Sequence, residues 1–289
     1  MMTSAAGRVW PRVVLFPLLG AIAGLGLRAQ PGAPLRILPL GDSITRGSYI
    51  ARYETGPRQG QAVSLPNPEG AGWRKLLQDR LRAAGVLFDF VGELNNNAYG
   101  RDGVVDPAFD PDHHGLAGFG NRRMMTGGTV PTLPDTLAAL GVKEVVVPDL
   151  PAVLRKHKPD VILLMSGANG FDAPARDELI RLIGASSVAH LFVATILPQR
   201  PPRADWDQVD AYNASLPAIV AAQQATGHRV TLVEMKRALS AEEDLLADGV
   251  HPSPSGMAKM AARWFQALQA AGYVNRPSSD RLSNSATLP

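Results

Sequence analysis

The chain has no cysteine and almost no excess of charge of one sign, and each absence excludes some classes of function. Without cysteine among its 289 residues, cysteine nucleophiles and thiolate metal sites are excluded, and the core must hold the fold without disulfide bonds. The formal net charge is +3, and setting aside three arginines before residue 30 leaves 26 basic and 26 acidic residues. Because this remainder is balanced, we expect no nucleic-acid partner.

The first 29 residues have the layout of a secretory signal peptide. Arg8 and Arg12 precede an uncharged run, Val13 to Leu27, that ends close to Ala29. The alternative is an uncleaved anchor, but these 15 residues include a proline and fall short of the roughly 20 that a membrane-spanning helix needs. We therefore expect cleavage after Ala29, a secreted or periplasmic protein, and no stable membrane anchoring.

Short apolar runs alternate with helix-like segments along the rest of the chain. The runs predict five strands, at Leu35–Leu40, Leu87–Gly92, Val161–Met165, His190–Ile196 and Val230–Val233. Apolar spacing and capping residues predict helices at Trp73–Ala84, Pro148–His157, 174–184, Asp207–Thr226 and from Ser253 onwards. Residues 48–71 and 93–134 lack a periodic pattern and are predicted to be long loops. We expect one domain, residues 30–274, and a flexible tail, residues 275–289.

The strand runs are apolar throughout, which is typical of a parallel sheet covered by helices on both faces. The sequence therefore predicts an α/β fold: a three-layer α/β/α domain with a flavodoxin-like, five-stranded parallel sheet in the order 2-1-3-4-5. In this order the second and third strands flank the first. The loops that follow these three strands then meet at the edge where such sheets bind ligands.

Ser43 is the candidate nucleophile, because it stands just past the end of the first strand in Gly41-Asp42-Ser43. The tripeptide alone is a weak indicator, since all three residue types are common in turns. Ile44 and Thr45 follow, so the motif is not the Gly-x-Ser-x-Gly elbow of the α/β-hydrolases.

The candidate base is His251, in the segment Asp248-Gly249-Val250-His251-Pro252 ahead of the last helix. An imidazole can take the proton of a serine and return it to a leaving group. Asp248, three residues earlier across a glycine turn, can accept the Nδ1 proton and fix the tautomer. Two loops could supply oxyanion donors: residues 113–120, rich in glycine, and residues 165–170, which include Asn169.

Taken in chain order, these four segments resemble the consensus blocks of the SGNH (GDSL) hydrolase superfamily. Gly41-Asp42-Ser43 corresponds to block I, Gly118 to block II, Asn169 to block III and Asp248–Pro252 to block V. The match runs from Leu35 to Leu268. Within the superfamily the chain is most similar to carbohydrate esterase family 3, the acetylxylan-esterase-like group. The residues that carry this similarity are Ile37–Thr45, Gly72–Arg74, Phe88–Gly92 and His113.

The resemblance implies a serine esterase in which Ser43 attacks an ester carbonyl, His251 takes its proton and Asp248 orients His251. The implied oxyanion hole consists of the backbone N–H groups of Ser43 and Gly118 and the side-chain amide of Asn169. No metal or organic cofactor is implied.

The chain departs from the family pattern around the expected substrate pocket. Gly170 stands where block III usually has aspartate, and Phe119 replaces the usual tryptophan of block II. Leu116 and Ala117 replace more polar residues, and the loop from Gly120 to Val147 is longer than expected.

Four other features have both a functional and an ordinary interpretation. A calcium site could be built from Asp102, Asp106, Asp110 and Asp112, but their irregular spacing favours a solvated loop. A metal could bind His113 and His114, for which no third ligand is evident. Trp73, Trp206 and Trp264 lie in predicted helices, where core packing is more common than sugar binding. Residues 200–203 could line the cleft or form a simple turn.

We expect an exported, monomeric esterase that removes acetyl or other short acyl groups from a polysaccharide or another small ester. The alternatives are a lipase or lysophospholipase with the same machinery, and a catalytically impaired carbohydrate-binding homologue.

Overall fold

The structure, a computed structural model, describes residues 33–52, 62–66, 72–95, 108–130 and 145–274. The predicted signal peptide and the predicted C-terminal tail lie outside these ranges, so both stay predictions. Within the described ranges, no helix combines the length and the apolar character needed to cross a bilayer.

The described residues form ten strands and eight α-helices. The strands are β1 (Leu35–Gly41), β2 (Ser48–Arg52), β3 (Ala62–Pro66), β4 (Phe88–Phe90), β5 (His114–Gly115), β6 (Gly128–Val130), β7 (Val145–Val147), β8 (Val161–Met165), β9 (His190–Ala194) and β10 (Val230–Val233). The helices are α1 (Ser43–Arg46), α2 (Trp73–Ala83), α3 (Asn121–Thr126), α4 (Leu150–His157), α5 (Ala173–Ser186), α6 (Val209–Ala214), α7 (Leu216–Ala225) and α8 (Pro254–Ala270).

The central sheet is parallel and runs in the order β10-β9-β8-β1-β4, with β5 also paired to β1. The predicted α/β class is therefore confirmed, but the sheet has six strands rather than five. The extra strand continues the path of β4: Phe90 pairs with Ile37, and His114 pairs with Leu40 further along β1. A two-residue strand beside glycines has no apolar run, so the sequence could not reveal it.

Helices cover both faces of this sheet, which explains why its strands are apolar throughout. Along β1, Ile37 packs into one apolar cluster and Leu38 into the other, because successive strand residues point to opposite faces. On the first face, Trp73 of α2 contacts Trp264 of α8, with ring centroids 5.7 Å apart. The second cluster takes its helical residues from α3, α4, α5 and α7.

Two predicted loops contain regular structure. Residues 48–71 include the antiparallel pair β2 and β3, and residues 93–134 include β5, α3 and β6. These elements are short and lack a clear apolar period, which is why the sequence pattern missed them.

The predicted helix Asp207–Thr226 is divided into a 3₁₀ turn at Trp206–Gln208, then α6, then α7. Pro217 explains the second break, because proline has no N–H to donate to the preceding turn. The last helix begins as predicted, with the Ser253 side chain accepting a hydrogen bond from the Gly256 N–H.

Candidate active site

Ser43 is the first residue of α1, directly beyond the carboxyl end of β1. A Cβ on Gly41 would lie 2.3 Å from the carbonyl oxygen of Met165, so the tight exit from β1 requires glycine. The Asp42 side chain caps α1 by accepting a hydrogen bond from the Ile44 N–H at 3.0 Å. This strand-to-helix turn sets Ser43, which is 6% exposed, at the ligand-binding edge of the sheet.

Burial raises the pKa of Asp42, while hydrogen bonds from the backbone N–H groups of Ile44 and Ala168 and the nearby His251 oppose that rise. Asp42 is almost wholly buried, and its bond to Ala168 reaches the loop that follows β8. The carboxyl group therefore ties the Ser43 turn to the loop that carries Asn169.

The His251 ring lies between Ser43 and Asp248. Its Nε2 is 2.8 Å from Ser43 Oγ, and its Nδ1 is 2.7 Å from Asp248 Oδ2. Asp248 Oδ1 also accepts hydrogen bonds from the backbone N–H groups of Val250 and His251, at 3.0 and 2.9 Å. The three residues, predicted from segments 208 positions apart, are thus in one hydrogen-bonded line.

Asp248 is held as a carboxylate. Its burial works to raise its pKa, but the hydrogen bond and charge of His251, with the two backbone N–H donors, lower the pKa to about 2. An ionised acceptor at Nδ1 keeps the proton on that nitrogen and leaves Nε2 free to accept the Ser43 proton.

The two predicted oxyanion loops lie against the Ser43 turn and against each other. The Leu116 N–H donates to the Gly41 carbonyl at 2.7 Å, which places the Gly118 loop beside the end of β1. The side-chain amide of Asn169 donates to the carbonyl of Phe119 at 3.2 Å. Gly118 and Asn169 are both exposed.

The departures from the family pattern have clear structural places. Phe119 is fully buried, with the Arg123 guanidinium 4.1 Å from its ring centre, and Leu116 belongs to the same apolar cluster. Gly170 closes a turn by donating to the Gly167 carbonyl at 3.2 Å. The loop from Gly120 to Val147 contains α3, β6 and β7, and its residues 131–144 lie outside the described ranges.

A buried arginine forms hydrogen bonds to the carbonyl groups at the end of α1. Arg74 of α2 donates to the carbonyl oxygens of Thr45, Arg46 and Pro111, at 2.9, 3.0 and 2.9 Å. Burial lowers its pKa to about 9, against the opposing charges of Asp110 and Asp112.

The candidate metal ligands have structural places. Asp110 accepts hydrogen bonds from the backbone N–H groups of Phe90 and Asp112, and its own N–H donates to Gln78. His113 accepts from the Gly115 N–H at 2.9 Å. In the described part of the chain, no three His, Asp or Glu side chains are grouped to hold a metal ion, and Asp102 and Asp106 lie outside it.

His113 and His114 carry no charge at neutral pH. Burial lowers the pKa of His113 well below its usual value, and the nearby Arg74 and Arg46 lower it further. Burial likewise lowers the pKa of His114 to about 4.

Residues 200–203 do more than form a turn. The Arg200 N–H donates to the Gly249 carbonyl at 3.0 Å, and its side chain donates to the carbonyls of Ala241 and Leu246. Arg203 donates to the Ala168 carbonyl at 3.0 Å. This segment therefore joins the loop that carries His251 to the loop that carries Asn169.

Trp73, Trp206 and Trp264 do not share one environment. Trp73 and Trp264 are buried in the core, as expected, but the expectation is wrong for Trp206, which is 45% exposed. Trp206 begins a 3₁₀ turn ahead of α6 rather than lying inside one long helix, so no apolar layer covers it.

Two side chains near the site, Tyr212 and Asn121, were not identified from the sequence. The Tyr212 hydroxyl donates a hydrogen bond to the carbonyl of Ser166 and accepts one from the Asn121 amide. Tyr212 and Asn121 lie 91 residues apart in the chain, so no local pattern connects them.

A parallel α/β sheet with a hydrogen-bonded serine, histidine and carboxylate at its carboxyl edge is the arrangement of a serine hydrolase. Residues 37–264 match the family described as GDSL-like lipase/acylhydrolase, and the chain belongs to this family. It is accordingly a carboxylic ester hydrolase.

Known structures and relatives agree with this assignment. The chain is similar to a Clostridium thermocellum family 3 carbohydrate esterase, with 25% identity, a TM-score of 0.56, and coverage of 83% of this chain and 99% of that one. It shares its fold with a family 3 carbohydrate esterase from Talaromyces cellulolyticus, at 21% identity, a TM-score of 0.55 and coverage of 82% and 97%. The resemblance stated from the sequence is thus confirmed.

A curated relative from Ruminococcus flavefaciens, described as a multidomain esterase, is 25% identical over 256 residues. The alignment covers 83% of this chain and 29% of that protein, so the chain spans less than a third of the relative's length.

Proposed function

We propose that the protein is a secreted serine esterase that removes acetyl or other short acyl groups from an extracellular polysaccharide. The observation that carries the proposal is the line of hydrogen bonds from Asp248 through His251 to Ser43, at 2.7 and 2.8 Å. The similarity to a family 3 carbohydrate esterase supports the substrate class, and the sequence of the first 29 residues supports export.

In the acylation step, Ser43 Oγ forms a bond to the ester carbonyl carbon while His251 Nε2 takes the hydroxyl proton. The tetrahedral intermediate collapses by breaking the bond to the sugar oxygen, and His251 gives its proton to that oxygen as the alcohol leaves. Asp248 stabilises the imidazolium form of His251 in both transfers. The product of this step is an acyl ester on Ser43.

In the deacylation step, a water molecule replaces the sugar. His251 takes one proton from the water as its oxygen bonds to the acyl carbon, then returns the proton to Ser43 Oγ as the acyl–serine bond breaks. The free carboxylic acid leaves, and the enzyme regains its starting form. The two steps together consume only the ester and one water molecule.

The negative oxygen of each intermediate needs donors in place before the reaction. The backbone N–H of Ser43 begins α1, where helix N–H groups have no partner within the helix. The Gly118 N–H and the Asn169 amide complete the proposed oxyanion hole. Each donor of this type lowers the barrier by roughly 3 to 4 kcal/mol.

Trp206 offers a surface on which a sugar ring can stack, which favours a carbohydrate substrate. It lies three residues after Arg203, whose guanidinium contacts the carbonyl of Ala168 beside Asn169. Three residues of chain span at most about 11 Å between backbones, so Trp206 belongs to the same short segment whose Arg203 side chain contacts the loop of Asn169. An exposed indole on this segment can cover the apolar face of a pyranose next to the scissile ester.

Acetate release from acetylated xylan tests the proposal, with the Ser43→Ala variant as the matched control. We expect release by the wild-type protein and a loss of at least about 10⁴-fold in the variant. On p-nitrophenyl esters, kcat/KM should fall from acetate to octanoate. A rise with acyl length would overturn the polysaccharide substrate and favour a lipid-directed esterase.

A fluorophosphonate probe tests catalysis independently of the substrate. We expect a covalent adduct on Ser43 in the folded protein and none in Ser43→Ala. A folded wild-type protein that forms no adduct would overturn the catalytic assignment and favour the carbohydrate-binding alternative.

Export is tested by N-terminal sequencing of the protein recovered outside the cytoplasm of a bacterial host. We expect the mature chain to begin at Gln30. Recovery of the uncut chain from the membrane fraction would contradict both cleavage and export.

A further inference from the structure

The loop Ser166–Gly170 carries Asn169, whose side chain bonds to the carbonyl of Phe119, while the other side chains of this loop are small. We infer that the hydroxyl group of Tyr212, together with the amide of Asn121, positions this loop for oxyanion stabilisation. The inference rests on the proposed function, because it gives Tyr212 a role that acts through Asn169. Tyr212 is a positioning residue, since nothing places it against the reacting atoms.

The hydroxyl of Tyr212 joins the two oxyanion loops. It donates to the Ser166 carbonyl at 3.1 Å and accepts from the Asn121 Nδ2 at 3.0 Å. Asn121 also donates from Nδ2 to the Asp172 carbonyl at 3.0 Å. Because the Asp172 carbonyl can only accept a hydrogen bond, the Asn121 atom that faces it must be the NH₂ group, and this fixes the orientation of the amide. The same NH₂ group donates to the Tyr212 oxygen, so the Tyr212 hydroxyl directs its own proton to the Ser166 carbonyl.

These bonds close a ring around the oxyanion site. Asn169 bonds to the carbonyl of Phe119, and Asn121, two residues after Phe119, bonds to Tyr212. Tyr212 bonds to Ser166, and Asn169, three residues after Ser166, completes the ring. A change in the position of Ser166 is therefore passed to Asn169 and to the loop that holds Gly118.

The ring of Tyr212 also fixes the shape of this loop by contact. A Cβ on Gly167 would lie 2.4 Å from Cε1 of the Tyr212 ring, so the Gly167 backbone packs directly against this ring. Tyr212 is 3% exposed, so its hydrogen bonds are shielded from water.

Tyr212 is itself rigidly held. The Arg176 guanidinium lies 3.8 Å from its ring centre and donates to its backbone carbonyl at 2.6 Å. The next residue, Asn213, exchanges two hydrogen bonds of 3.0 Å with the backbone of Ile196. Burial raises the pKa of Tyr212, so the hydroxyl keeps the proton that it donates to Ser166.

The test is the Tyr212→Phe variant, which removes the hydroxyl and keeps the ring on Gly167. For p-nitrophenyl acetate we expect kcat to fall about 10- to 100-fold with KM unchanged, because small misplacements of catalytic groups have effects of this size. Methylboronic acid forms a tetrahedral adduct with an active serine, and its affinity should fall by the same factor as kcat/KM. A general loss of stability would not produce this matched pair of losses.

The matched control is Tyr273→Phe. The Tyr273 hydroxyl also has a hydrogen-bond partner, since it accepts from Arg229 at 2.9 Å, but the Tyr273 ring contacts His190 at the amino end of β9. We expect its kcat and its boronate affinity to equal those of the wild type. Equal losses in both variants would overturn the assignment to Tyr212.

The outcomes separate this inference from the proposed function. A folded Tyr212→Phe variant with kcat and boronate affinity within twofold of the wild type would overturn the inference, while an inactive Ser43→Ala variant would keep the proposed function intact. If Tyr212→Phe does not fold, Asn121→Ala tests the same hydroxyl from its other partner. We expect the same loss of kcat and boronate affinity there, and wild-type values would overturn the inference.

Discussion

The guanidinium of Arg74 lies against α1, the helix that begins at Ser43, and donates 2.9 and 3.0 Å hydrogen bonds to the carbonyls of Thr45 and Arg46. Thr45 and Arg46 are the last residues of α1, whose carbonyls have no partner within such a short helix. Arg74 thus satisfies the end of a helix whose first residue is Ser43. Because this helix is only one turn long, its stability depends on such contacts.

Replacing Arg74 by methionine should lower the free energy of unfolding by about 3 kcal/mol or more, because three buried carbonyls lose their donor. Arg74→Lys should be only a partial rescue, since a single ammonium cannot reproduce the planar fork. Urea unfolding measures the change, and Arg80→Met, on the exposed side of α2, is the control. A loss below 0.5 kcal/mol for Arg74→Met, a threshold at the usual size of surface substitutions, would contradict this role.

Replacing Asp248 by asparagine should reduce kcat about 10⁴-fold and leave a measurable residual rate. The amide cannot accept the Nδ1 proton as a carboxylate does, so His251 loses its preferred tautomer, while the oxyanion donors stay in place. Kinetics on p-nitrophenyl acetate measure the loss. Asp149→Asn is the control, because asparagine also caps helices well and Asp149 caps α4 far along the chain from the base. A variant Asp248→Asn with wild-type kcat would exclude Asp248 as the partner of His251.

Acid should destabilise the protein through its buried histidines. Burial lowers the pKa of His114 to about 4, against the opposing effect of Glu93, while the unfolded chain binds the proton near pH 6.5. Between these two pH values the unfolded state binds more protons, so stability falls as pH decreases. The full shift corresponds to roughly 3 kcal/mol from this residue.

The His114→Met variant tests this expectation. Neither ring nitrogen of His114 has a hydrogen-bond partner within the described residues, so methionine removes the titration without breaking such a bond. The free energy of unfolding, measured by urea at pH 7 and pH 4.5, should differ less between the two values in the variant than in the wild type. Equal differences would show that His114 does not carry the effect.

Replacing Trp206 by alanine should raise KM for acetylated xylo-oligosaccharides about tenfold and leave p-nitrophenyl acetate unaffected. An aromatic platform is worth about 1 kcal/mol or more to a bound ring, and the small ester has no sugar to place there. Val188→Ala, another exposed apolar residue, is the control. An unchanged KM for the oligosaccharides would remove Trp206 from the substrate site.

The sequence by itself determined the main sheet and the residues proposed for chemistry. Strands such as Val161–Met165 were predicted with their observed bounds, because a run that is apolar on both faces is readable locally. Ser43 and His251 were found because each stands in a short motif at the end of an element, and their contact follows from the parallel order of the strands.

Only the tertiary structure decided how these residues are held. Tyr212, Asn121 and Arg74 act through bonds to backbone carbonyls, and a carbonyl has no sequence identity that could mark it as a partner. The two-residue strand β5 exists because β1 offers it a free edge beyond β4, a condition set by packing. Side chains that carry chemistry thus leave a pattern in the sequence, whereas those that position them depend on distances that only the folded chain creates.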